Sequence, residues 1–400
     1  MQRVKYWLVA LVLCLACAGT SGKDVATNTR WVGTWACGPQ LTEPQNEPPA
    51  DLTGNTLRQV VYVSIGGSRL RVQLSNAFGN DAVVMNAVHI AVSTARGAIV
   101  PETDRALTFN NSPSVTIPAG ETVYSDPIDF DLKPLSKLAI TIHFGTVPDD
   151  ITGHPGSRTN SYLAGGNAVS APDLSNSVRT AHWYYITGVD VLAGGRAAAV
   201  VALGDSITDG RGSTTDGNDR WPDFLSRRLR ANPATADIAV LNQGIGGNAV
   251  VSGGLGPTAI DRFKRDVLEQ RGVRWVIVFI GVNDIGEAAD ETIADRLIEA
   301  YRGFIRDAHA AGLCIYGATI LPFAGSQYDG EVHENARQKV NEWIRKSGEF
   351  DAVIDFDAVV RDPSYPAALL PAYDTGDHLH LNPDGYEAMA NAIDLSLFSR

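Results

Sequence analysis

The chain has 400 residues, 44% of them hydrophobic and 20% charged, and its 33 basic and 45 acidic side chains give a net charge of −12. That length predicts two domains, and the apolar content excludes a disordered chain, a collagen or a coiled coil. An acidic chain with no Lys/Arg cluster has no electrostatic footprint for nucleic acid or an anionic membrane surface.

In chain order, Arg3 and Lys5 precede an apolar run from Tyr6 to Ala18, and Ala16-Cys17-Ala18 fits a small-x-small cleavage site. Residues 1–18 are expected to be a secretory signal peptide, which makes the protein secreted or periplasmic with no integral membrane segment after cleavage. A short anchor, or lipid attachment at Cys17, is the alternative, although the run is short for a bilayer span. Past this leader only Cys37 and Cys314 remain, either as two buried thiols or as one disulfide. Without a CxxC pair beyond the leader, a thiolate zinc site is excluded.

Residues 30–195 read as an N-terminal β-rich, sandwich-like domain. Leu57–Ile65 is rich in β-branched residues, Gly66-Gly67 signals a turn, and Arg69–Leu74 alternates polar with apolar. Val83–Met85, Ala87–Val92 and Leu138–Phe144 continue the pattern. Gly194-Gly195-Arg196-Ala197 marks the join, and residues 196–400 change character. Strand candidates at Ala198–Leu203, Ile238–Leu241, Trp275–Ile280, Ile315–Ile320 and Val353–Phe356 alternate with helix candidates. The helices fall at Trp221–Ala231, Thr258–Gln270, Ile293–Ala311, Val332–Ser347 and Asp384–Phe398. Such alternation predicts an α/β fold, a parallel sheet covered on both faces, with ligands at the carboxyl ends of its strands.

Four segments that carry chemistry fall at those ends or near the C-terminus. Gly204-Asp205-Ser206 ends the first strand, where a serine hydroxyl lies beside backbone N–H groups able to receive an oxyanion; alone, it reads equally as a helix cap. Asn242–Asn248, with Gly244, Gly246 and Gly247, closes the second strand, and Gly281-Val282-Asn283-Asp284 closes the third. Asp377-His378-Leu379-His380 precedes the last helix. There is no Gly-x-Ser-x-Gly elbow at Ser206.

These four blocks, in this order, resemble the SGNH (GDSL) hydrolase superfamily over residues 198–400. The resemblance implies a three-layer α/β/α fold and a serine esterase. Ser206 would be the nucleophile, His380 its base and Asp377 the group orienting that base. The oxyanion hole would comprise the N–H groups of Ser206 and Gly247 and the Asn283 amide, with Gly246 as the alternative to Gly247. No metal or organic cofactor is implied. A rival metal site would draw on His378, His380 and Asp377. His378 and Leu381 depart from the family pattern and are expected to shape the mouth of the site.

The two-part architecture is similar to that of secreted family members that deacetylate plant polysaccharides such as xylan. An acylated carbohydrate or small ester is therefore the expected substrate. An arylesterase or lipase acting on small apolar esters, and a non-catalytic carbohydrate-binding protein, are the alternatives. Trp31, Trp35, Trp183, Tyr184 and Tyr185 would serve either sugar stacking or core packing, and Leu74–Gly79 is expected to lean over the site.

Overall fold

The computed structural model describes residues 29–399; the leader, its cleavage site and Cys17 lie outside the described residues. Up to Gly194 the strands are antiparallel. One sheet runs in the order Thr29–Ala36, Ile186–Gly194, Gly67–Ser75, Thr122–Tyr124, with Ile128–Leu132 also pairing with Gly67–Ser75. A second is built around Thr56–Tyr62, Lys137–Phe144 and Val83–Val92. Strand alternation sends Leu70, Val72 and Leu74 inward, while Arg69, Arg71 and Gln73 stay at least partly exposed. They share a core with Leu57, Ile140 and Ile142 of the second sheet. Val83–Val92 is one strand, not the two shorter ones read from the sequence, with Asn86 exposed in its middle.

A small third sheet joins Gln40–Leu41, Thr152–His154 and Trp183–Tyr184.

The parallel sheet has the order Ile238–Gly244, Ala198–Gly204, Val273–Phe279, Cys314–Ala318, Ala352–Ile354. The first strand in sequence therefore lies inside the sheet, between the second and the third, and all its residues are buried, as its unbroken apolar run requires. Chain direction around the sheet reverses there, which opens a crevice at the carboxyl ends of the strands. The helices are α1 (Ser206–Asp209), α2 (Trp221–Ala231), α3 (Ala259–Phe263), α4 (Val282–Gly286), α5 (Ile293–Ala310), α6 (Glu331–Lys346), α7 (Phe356–Val360) and α8 (Pro383–Ala392).

Two helix expectations are corrected. Thr258–Gln270 divides into α3 and a π-helical turn at Lys264–Leu268. Asp384–Phe398 divides because α8 stops at Ala392 and a separate 3-10 turn covers Leu395–Phe398. The short helices α4 and α7 were not expected, since five residues show no period.

Thr29–Ala36 packs over Ile238–Gly244. Gly33 N–H donates to Arg271 O at 2.9 Å and Val240 N–H to Ser64 Oγ at 3.1 Å, and one hydrophobic cluster runs through both halves of the chain. Cys37 is buried and Cys314 exposed, and both are free. The expected burial of Cys314 fails because its strand begins at that residue. Among the described residues no helix is long and apolar enough to cross a membrane.

Candidate active site

Ser206 opens α1 directly after the strand Ala198–Gly204. Asp205 caps that helix, its Oδ1 accepting Ile207 N–H at 3.0 Å. Burial pushes the Asp205 carboxyl up to about 7. The first amides of a helix have no partner within it, so the N–H of Ser206 is available at the strand end.

Ser206 Oγ lies 2.8 Å from His380 Nε2, and His380 Nδ1 lies 2.7 Å from Asp377 Oδ2. A tight turn makes this possible. Asp377 Oδ1 accepts the N–H groups of Leu379 at 3.0 Å and His380 at 2.8 Å, so the carboxylate folds back onto its own loop and meets the ring three residues on. Burial alone would raise the Asp377 carboxyl; these two amides and the His380 ring outweigh it and hold the group well below the usual carboxylate range. An ionised Asp377 accepts only, so the ring carries its proton on Nδ1 and presents Nε2 to the serine hydroxyl as an acceptor. His380 itself is pulled below the usual imidazole value. Burial is the main cause, opposed by Asp377 and reinforced by the positive charges of Arg211 and Arg158.

Gly247 and Gly246 both line the cleft that holds Ser206 and His380. Gly247 has φ of +69°, a backbone that disfavours any side chain. Asn283, on α4, donates from Nδ2 to Asn248 O at 2.8 Å, and its Oδ1 accepts from the Tyr328 hydroxyl at 3.0 Å. With oxygen and one N–H engaged, the amide cannot flip, and one N–H remains. Asn283 lines the same cleft as Ser206 and Gly247, so the structure brings all three expected oxyanion donors together.

A buried arginine ties the strand ends to one another. Arg262 of α3 donates to Gly204 O at 2.8 Å, Gln243 O at 2.7 Å and Asn248 Oδ1 at 3.0 Å, with Asp266 as its counter-ion at 3.0 Å. Asp284 holds the loop after the second strand, its carboxylate accepting the N–H groups of Val250 at 2.7 Å and Val251 at 2.9 Å.

The cleft encloses about 360 Å³. Its lining includes Gln40 from the strand Gln40–Leu41, Glu43 and Asn46 from the segment after it, and Arg158 and His182 from two loops of the N-terminal half. Leu74–Gly79, expected to lean over the site, is not part of it; Asn76 there turns its amide to Asp81 O and Ile117 O. Four of the five aromatic residues pack in the core: Trp35, Trp183, Tyr184 and Tyr185 are buried, with Trp35 edge-on to Trp183 at 4.9 Å, while Trp31 is half-buried under the Arg71 guanidinium and does not line the cleft. His378 and Leu381 do not form the mouth. His378 turns away to Asp374 Oδ2 at 2.6 Å and Leu381 is fully buried, while Leu379 lines the cleft. The rings of His378 and His380 thus face different partners, Asp374 and Ser206, and do not converge on one point.

His154, Arg158, Arg262 and Tyr328 were missed from sequence. A histidine in a three-residue strand, or an arginine within a helical stretch, carries no signal that it will face a site. Tyr328 follows Gln327 in a loop with no motif of its own.

Residues 202–388 match the model of the GDSL-like Lipase/Acylhydrolase family. No curated protein sequence matches the chain significantly. Among solved structures, a putative lipolytic protein of the G-D-S-L family from Desulfitobacterium hafniense is 23% identical, over 49% of this chain and 97% of its own, with a TM-score of 0.39. The acetylxylan esterase Axe2 from Geobacillus stearothermophilus is 22% identical, over 49% of this chain and 91% of its own, with a TM-score of 0.37. A family two carbohydrate esterase from Cellvibrio japonicus is 13% identical, over 92% of this chain and 97% of its own, with a TM-score of 0.35. The C-terminal half is a domain of the GDSL-like lipase/acylhydrolase family, and the protein is a serine carboxylic ester hydrolase.

Proposed function

We propose that the protein is exported and removes short acyl groups, acetyl foremost, from a plant-type polysaccharide such as xylan. Ser206, His380 and Asp377 act as nucleophile, base and orienting carboxylate. His380 Nε2 takes the Ser206 proton as Oγ attacks the ester carbonyl. The oxyanion receives the N–H groups of Ser206 and Gly247 and the free N–H of Asn283, each worth about a hundred- to a thousandfold in rate. The tetrahedral adduct collapses, and the sugar hydroxyl leaves with the proton held on His380. Water, deprotonated by the same ring, then releases the acid and restores Ser206.

The observation that carries this reading over a lipase is the polarity of the cleft. Gln40, Glu43, Asn46, Arg158, His182 and Arg211 outnumber Leu255, Tyr328 and Leu379 along it, and such polar side chains hydrogen-bond sugar hydroxyls and leave a long acyl chain little apolar surface.

The test is acetate release from acetylated xylan beside hydrolysis of p-nitrophenyl esters of increasing acyl length. Acetate release with kcat/KM falling as the chain lengthens is expected, and Ser206→Ala abolishes both. A preference for long acyl chains makes the protein a lipase; binding of the polymer with no ester cleavage makes it a carbohydrate-binding protein. Export is tested by amino-terminal sequencing of the protein recovered outside the cytoplasm.

A further inference from the structure

Arginines enclosed elsewhere in the protein have partners. Arg58 reaches Thr141 Oγ1 and the carbonyls of Gly97 and Ala171; Arg337 reaches Glu334, Asp357 and Ile320 O. Two arginines in the cleft differ. Among the described residues, neither Arg158 nor Arg211 makes a side-chain hydrogen bond. Arg158 Nε is buried without an acceptor, and Arg158 Nη2 lies 3.8 Å from Asp209 Oδ2, too far for a hydrogen bond.

The Arg158 loop is nevertheless firmly built. Its φ of +51° is unfavourable for a residue with a side chain. Its carbonyl accepts Asp216 N–H at 2.9 Å, Ser157 O accepts Arg220 Nη2 at 2.6 Å, and Asn160 donates to both oxygens of Asp216, at 2.8 and 2.6 Å. Backbone held in this way by its surroundings is characteristic of ligand clamps. Arg211 comes from the other half of the chain, two residues past α1, where its N–H donates to Ser206 O at 2.9 Å. Both arginines line the cleft that holds Ser206 and His380, and both charges are felt by the His380 ring.

We propose that Arg158 and Arg211 form an anion subsite beside Ser206, and that the substrate is an ester whose sugar carries a carboxylate: an acylated uronic acid residue of an acidic polysaccharide. The proposal rests on the esterase reading above and narrows its substrate class. A planar carboxylate matches the fork of a guanidinium; Arg211 makes neither a side-chain hydrogen bond nor an ion pair among the described residues, and Arg158, whose one partner is the 3.8 Å ion pair with Asp209, makes no hydrogen bond, so both keep donors for it. Two carboxylates share the cleft: Glu43 is engaged by Gln40 Nε2 at 2.5 Å and Asn46 Nδ2 at 3.0 Å, and Asp209 by His154 Nε2 at 3.0 Å, beyond hydrogen-bond distance of Arg158. During turnover the acyl group passes to Ser206 Oγ and the sugar alcohol leaves with the proton from His380. The carboxylate stays on the arginines throughout and undergoes no chemistry.

The experiment compares an O-acetylated methyl galacturonoside with the same sugar bearing a primary amide in place of the carboxylate, beside p-nitrophenyl acetate as a charge-free reporter. The wild-type protein is expected to favour the carboxylate in kcat/KM by about tenfold or more, the scale of a charge-assisted hydrogen bond. Added salt shrinks that ratio, because the subsite is open to solvent. Arg158→Gln and Arg211→Gln each lower it towards one; Arg211→Gln removes no hydrogen bond within the protein, so its folding is not at stake. If p-nitrophenyl acetate is cleaved but the two sugars react alike, or both variants keep the ratio, the subsite is overturned and the esterase reading stands. If no ester is cleaved, the esterase reading falls and the subsite falls with it.

Discussion

The His380–Asp377 pair and the His154–Asp209 pair meet the two ends of one short helix, at Ser206 and at Asp209. His380 Nδ1 faces its carboxylate at 2.7 Å, and Nε2 remains for the serine hydroxyl at 2.8 Å. His154 Nε2 faces Asp209 Oδ1 at 3.0 Å, but its Nδ1 is taken by Gly38 O at 2.9 Å. Both ring nitrogens of His154 are engaged within the fold, and neither faces a hydroxyl. The same two residue types thus leave a ring nitrogen facing a serine hydroxyl, as the proposed base requires, in one place and give a clamp in the other, and the partner of the second ring nitrogen decides which. The clamp is tight: a side chain at Gly156 would collide with the Asp209 carboxylate.

The sharpest way to break this comparison is to remove each ring in turn. His380→Ala should lower kcat by about a thousandfold or more, since a missing general base typically costs two to four orders of magnitude. Its ring being held below the usual imidazole range, the wild-type acid limb of kcat/KM should fall below pH 6.5. The sign follows from the role: the base works only when neutral, so a depressed value extends activity towards acid. An acid limb above pH 7, or near-normal turnover in His380→Ala, would assign the base to another group.

His154→Ala should act on stability first. It leaves Asp209, 1% exposed, without its hydrogen-bond partner and with only Arg158 at 3.8 Å to offset its charge, and breaking a buried pair in this way costs about 3 kcal/mol. Urea unfolding should show that loss in His154→Ala and a much smaller one in His380→Ala. If the two losses are equal, the clamp and the base are not distinct devices. The double variant His154→Gln/Asp209→Asn, which removes both the ring and the charge, should recover part of the stability.

The meeting of Ser206, His380 and Asp377 was expected from the sequence, and that of His154 and Asp209 was not. Three blocks at strand ends and a fourth before the last helix were expected to meet, partly because a parallel sheet presents its strand ends along one edge and partly through the resemblance that assigned Ser206, Gly247, Asn283, Asp377 and His380 to one site. Most strands and helices of the C-terminal half were also legible, from apolar runs and helical spacing. The wall of the cleft supplied by Gln40, Arg158 and His182 was hidden, since those loops have no period and their pairing with the hydrolase part depends on contacts between residues far apart in sequence. The π-helical turn after α3 was hidden for a related reason. Arg262 and Asp266, four residues apart, look like an ordinary exposed helical pair, yet both are buried beneath the site.

Tyr328→Phe should have an intermediate effect. The ring still fills the wall, but Asn283 Oδ1 loses its donor and the amide is held only through Asn248 O. A net hydrogen bond is worth about 1 kcal/mol, so kcat should fall about fivefold with KM little changed. A rise in KM at constant kcat would instead place Tyr328 in substrate binding.

His378→Ala should have the smallest effect, and it probes a third His–Asp pair of the same composition. The ring is bonded to Asp374 Oδ2 at 2.6 Å through Nδ1, as His380 is to Asp377, and it lies two residues from the base. Composition and sequence position would therefore make it a candidate base. Geometry separates the two: the His378 backbone is left-handed at φ +60°, which turns the side chain out of the cleft, and that side chain is 52% exposed against 5% for His380. An exposed ion pair contributes about 0–1 kcal/mol to stability, and the ring touches no oxyanion donor. Both kcat and KM should stay within about twofold of the wild type. If His378→Ala abolishes turnover while His380→Ala spares it, the loop adopts a different turn in solution, and the base, the orienting carboxylate and the path of the leaving proton must all be reassigned around Asp374.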